Sequence, residues 1–187
     1  MKKWLVLCVC AAALLAGWRP APREPEGLAL VRVLGADGPG PVALTAVCGG
    51  DGGEAPSRGR SAGESFDAAL EGLPWSGEEE LSLTSVSYLV VGRDVELREV
   101  LLAVLRDREL GASATVWLAE EGAAALLDGC PDPAAGLDLL ARQGVEAPTA
   151  AQALARLEGG EVLSLPLLAG DRPALIDWEE WRPADGL

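Results

Sequence analysis

The chain reads as a mixed α/β fold: an N-terminal β-hairpin, then alternating helices and strands in a single mixed sheet with flanking helices. Three observations predict this. Two β-type runs, residues 28–34 and 42–48, flank the turn-dense stretch Asp37-Gly38-Pro39-Gly40-Pro41 and make a hairpin. Beyond it, apolar residues recur at helical spacing in some segments and as short continuous runs in others. The length of 187 residues, with 49% hydrophobic, suits one well-buried domain and is short for two.

Taken in order, Met1-Lys2-Lys3 is a basic start to a 14-residue apolar run over residues 4–17. That is the pattern of a secretory signal, because a spanning helix needs about 20 apolar residues. A cut after Ala16 or Gly17 would leave Leu14 or Leu15 where a small residue is wanted. Residues 1–17 are therefore a signal peptide or an uncleaved membrane anchor. Leu14-Leu15-Ala16-Gly17 would form a lipoprotein box before a Cys, but Trp18 follows. Residues 18–27 form a tether, rich in Pro and charge, to a single domain over 28–187.

Within that domain, residues 49–60 read as a Gly-rich loop and Ser61-Ala62-Gly63-Glu64 as a capping box. Phe66, Ala69, Leu70 and Leu73 then give one helical stripe. Residues 81–91 read as extended. Asp94 is placed to cap a helix whose Leu97, Val100, Leu101, Val104 and Leu105 share a face, with Gly111 as its stop. A strand over 113–119 precedes a helix over 121–128 closed by Gly129. Asp132-Pro133 starts a helix that Gly144 ends. Thr149-Ala150-Ala151-Gln152 is a second capping box, and Gly159-Gly160 ends its helix. Strands follow over 162–168 and 174–178, the first placed at an edge by Pro166.

Composition limits function. The net charge is −14, and without the lysines at positions 2 and 3 it is 13 Arg against 29 acids. Such a surface repels phosphate backbones, so no nucleic-acid partner is expected. His is absent, which excludes Ser-His-Asp and Cys-His catalysis and His-ligated zinc. The loop from Cys48 to Glu54 lacks the Lys and Ser/Thr of a phosphate-binding loop. Asp37, Asp51 and Glu54 lack the spacing of a calcium loop. Glu78-Glu79-Glu80 and Glu179-Glu180 could serve carboxylate chemistry, or be solvated surface. Cys48 and Cys130 could pair in an exported protein, or be buried separately. Trp178 and Trp181 could pack on the domain or form an exposed contact. No catalytic residue, cofactor or metal site is expected.

The ordered segments resemble the N-terminal domain of the Ger(x)C spore germination proteins, the C-type subunits of nutrient germinant receptors. The family's lipoprotein signal and Gly-Ile-Asp strand are matched by Ala16-Gly17-Trp18-Arg19, Arg23-Glu24 and Gly35-Ala36-Asp37. Its Thr-x-x-Glu-Ala helix start is matched in kind by residues 63–69. Its Val-Ile-Ile-Gly strand corresponds to Leu89-Val90-Val91-Gly92. Its Arg-Asp-x-Glu-Leu-Arg corresponds to Arg106-Asp107-Arg108-Glu109-Leu110, with Gly111 in the last place. The strand Ala114-Thr115-Val116-Trp117-Leu118-Ala119 and the helix through Ala125-Leu126-Leu127 complete the set, which covers roughly residues 18–168. The lipid-accepting Cys and the family's large C-terminal part are missing, as in a truncated or divergent member.

The resemblance implies a non-catalytic accessory subunit of germination on the extracytoplasmic face of the spore inner membrane. Its partners would be membrane germinant-receptor subunits, its membrane association would run through residues 4–17, and its docking surface would be Arg106, Asp107, Arg108 and Glu109. The alternatives are a secreted carboxylate-dependent cell-wall or carbohydrate-active enzyme, or a degenerate remnant without an assembly role.

Overall fold

A computed structural model describes residues 28–49, 56–73, 80–170 and 173–181. The segments assigned to signal and tether lie outside the described residues. Among the described residues, eight strands form one mixed sheet: β1 (Leu28–Asp37), β2 (Val42–Cys48), β3 (Arg58–Gly63), β4 (Glu80–Ser82), β5 (Tyr88–Gly92), β6 (Thr115–Ala119), β7 (Leu163–Ala169) and β8 (Ala174–Trp181). Five helices flank it: α1 (Phe66–Gly72), α2 (Leu97–Arg106), α3 (Ala123–Gly129), α4 (Pro133–Arg142) and α5 (Ala150–Glu158).

The strand order is β3-β2-β1-β5-β6-β7-β8, with β4 beside the start of β1. β1, β5, β6 and β7 run parallel, while β2, β3 and β8 are added antiparallel at the two sides. Parallel strands are covered on both faces, so their residues are continuously apolar. All five residues of β5 are buried, as are four of the five in β6.

Period-2 alternation divides the sheet between two cores. On one face Leu34, Ala36, Leu89, Val91, Val116 and Leu118 pack under α1, α2 and α5, which contribute Leu70, Leu101 and Ala153. On the other, Val33, Val47, Val90 and Trp117 pack under α3 and α4 through Leu127 and Leu137. A register shift between Val31 and Val33 turns the start of β1, so that Val31 joins the first face and Val33 the second.

The hairpin, both Pro/Gly-bounded helices and the capping box at Thr149 stand as expected. Thr149 Oγ1 accepts from Gln152 N at 3.2 Å, and Gln152 Oε1 accepts from Thr149 N at 3.0 Å. Four expectations are corrected. Arg58 to Gly63 is strand, because pairing with β2 captures it from the expected loop and from the capping box at Ser61. The cap of α1 is Ser65, whose Oγ accepts from Ala68 N at 3.2 Å, while Ser61 donates to Ala69 O.

Glu96, not Asp94, precedes α2, and it makes no side-chain cap. Burial of Val95 turns the chain so that Asp94 faces solvent. The extended segment over 81–91 divides into β4 and β5. Lastly, β7 is interior, because β8 lies outside it. Pro166 is tolerated there because pairing with β6 begins only at Leu167, past the missing N–H.

Core and surface leucines differ in cost. Leu101→Ala, at a fully buried α2 position, is expected to destabilise the protein by about 2–5 kcal/mol in denaturant unfolding. Leu139→Ala, on α4 at 55% exposure, should change stability by no more than about 0.5 kcal/mol.

Candidate functional site

In open α/β sheets, ligands gather at the carboxyl ends of the parallel strands. Here that edge is built from Asp37 at the end of β1, Gly92 at the end of β5 and Ala119 at the end of β6. The N-terminus of α3 opens onto it, and helix N-termini attract anions through their unpaired N–H groups. The chain supplies the anion itself. Asp37 Oδ1 accepts from Ala123 N and Oδ2 from Ala124 N, each at 2.6 Å. Gly122, the residue before α3, has φ +100° and no side chain with which to cap it. The cap therefore comes from 86 residues away in sequence.

Two further groups make this possible. A Cβ on Gly92 would overlap Asp37 Oδ1, so only glycine leaves room for the carboxylate. A Cβ on Gly35 would stand 2.6 Å from Leu127 Cδ1, so this position lets α3 lie directly on β1.

The other end of α3 is held by β3. Arg58 Nη2 donates to Leu127 O at 3.2 Å and to Cys130 O at 2.7 Å, placing a cation at the negative pole of the helix. Arg58 Nε is buried with no hydrogen-bond partner. Arg60 adds a surface ion pair with Asp128 at 2.5 Å. Thus β1 and β3 grip both ends of one short helix with opposite charges. Beside it, a recess of about 180 Å³ lies between α3 and the end of β7, bordered by Glu120, Glu121, Leu126 and Gly170.

The docking candidates Arg106, Asp107, Arg108 and Glu109 begin at the last residue of α2, which runs back from the end of β5 to the opposite edge of the sheet. Asp107 Oδ1 accepts from Glu109 N at 2.7 Å and Leu110 N at 3.0 Å, so this carboxylate shapes its own turn and ends the helix before Gly111. Leu110 is buried beneath the turn, and Arg106, Arg108 and Glu109 are exposed. Three charged side chains thus project from a turn fixed by the fourth.

The expected carboxylate pairs are not gathered into a shared cleft among the described residues. Glu179 is bound by Arg93 at 2.8 Å, and Glu78 and Glu79 lie outside the described residues. Asp37 is committed to α3, while Asp51 and Glu54 lie outside the described residues. Trp181 is half-buried against the larger core, whereas Trp178 is 42% exposed. Cys48 and Cys130 are both buried; Cys48 packs in the core under α1, α2 and α5, and Cys130 closes α3 on the opposite face.

A polar cluster beneath α4 escaped sequence reading. Tyr88 Oη donates to Asp138 Oδ1, and Arg32 lies 3.8 Å from Asp138 Oδ2. Burial, then the hydrogen bond and charge of Asp138, push the Tyr88 phenol up to about 12. The available signal was a lone Tyr opening an apolar strand, since a buried phenol needs a partner.

No protein-family model, curated protein or solved structure matches the chain.

Two outcomes are expected from this geometry. Asp37→Ala strands two helix amides and should lower stability by about 1–3 kcal/mol in denaturant unfolding. Asp37→Asn should rescue little, because its amide nitrogen would face an N–H donor. Tyr88 is the sole tyrosine, so phenolate absorbance reads it alone. Its contribution to stability should be fully present below pH 10 and be lost as pH rises toward 12, because the unfolded phenol ionises first. Asp138→Asn should move the midpoint back toward 10.

Proposed function

We propose that this chain is an exported, non-catalytic accessory domain of the Ger(x)C kind. It acts in spore germination by contacting membrane germinant-receptor subunits at the extracytoplasmic face of the spore inner membrane. The observation that carries this reading is where the resembling residues meet. Gly35 and Asp37 of the first motif, Gly92 of the third and Leu127 of the last all converge on helix α3. Residues that match a family pattern at separate points of the sequence thus form one contact, as expected if the pattern encodes a fold.

Charge supports an interaction role over chemistry. The chain has no His, and a carboxylate mechanism needs two acids facing one substrate. Asp37 is held by backbone amides and Glu179 by Arg93, and the acids at the recess beside α3, Glu120 and Glu121, are neighbours in sequence. The exposed Arg106, Arg108 and Glu109, on a turn ordered by Asp107, form the docking surface in this reading.

The test is fractionation and cross-linking in a spore-forming host. A tagged full chain should sediment with the spore inner membrane, retain residues 1–17 by intact mass, and cross-link to a receptor subunit. Arg106→Glu with Arg108→Glu should reduce that cross-link about tenfold without lowering the unfolding midpoint. A soluble product, cut near Gly17 and absent from spore membranes, would overturn the proposal.

A further inference from the structure

We draw no further inference here: the strongest candidate, the exposed apolar surface patch of Ile176 and Trp178 on the outer strand β8, carries nothing because nothing in the structure shows what covers it.

Discussion

Helix α3 is the piece on which the two sides of the molecule depend. It has only seven residues, too few to be stable alone, and its own sequence offers no N-cap. It exists because Asp37 satisfies its first amides and Arg58 its last carbonyls. Those two residues belong to different strands of the N-terminal three-stranded unit. The helix in turn covers Val33 and Val47 and closes the smaller core. Removing the charge complementarity would therefore loosen the hairpin as well as the helix.

The same contact explains what occupies the carboxyl edge of the parallel strands. An α/β sheet offers an anion-binding helix end there as a by-product of its topology. In this chain a buried backbone approach at Gly92 allows an internal carboxylate to take that place. The position that many α/β proteins use for ligands is used here for cohesion. The exposed charges of the Arg106 turn lie at the opposite end of the parallel strands, away from this contact.

Much of the fold was legible in the sequence because it was written locally. The β1–β2 hairpin carries its turn residues between two apolar runs, and α4 and α5 carry Asp-Pro and Thr-x-x-Gln at their starts. What was not legible depended on distant partners. β3 is Arg-Gly-Arg-Ser-Ala-Gly, with no β-type composition, and becomes strand only because β2 pairs with it. Asp37 reads as a turn residue until α3 is placed above it. Asp107, by contrast, was visible as part of a charged group, but its role in shaping the turn required its backbone partners to be known. Pro166 misled for the same reason, since its tolerance depends on where the β6 pairing begins.

The separation of Asp37 from its partner amides bears on how the chain acquires this structure. Contacts that span 86 residues must wait for a large loop to close, and such topologies fold slowly. A chain made from its N-terminus presents β1, β2 and β3 well before α3 exists. During that interval one whole face of the hairpin, including Val33 and Val47, has nothing to cover it. The order of synthesis thus makes the N-terminal unit the segment most in need of protection until α3 and then α4 arrive to cover that face.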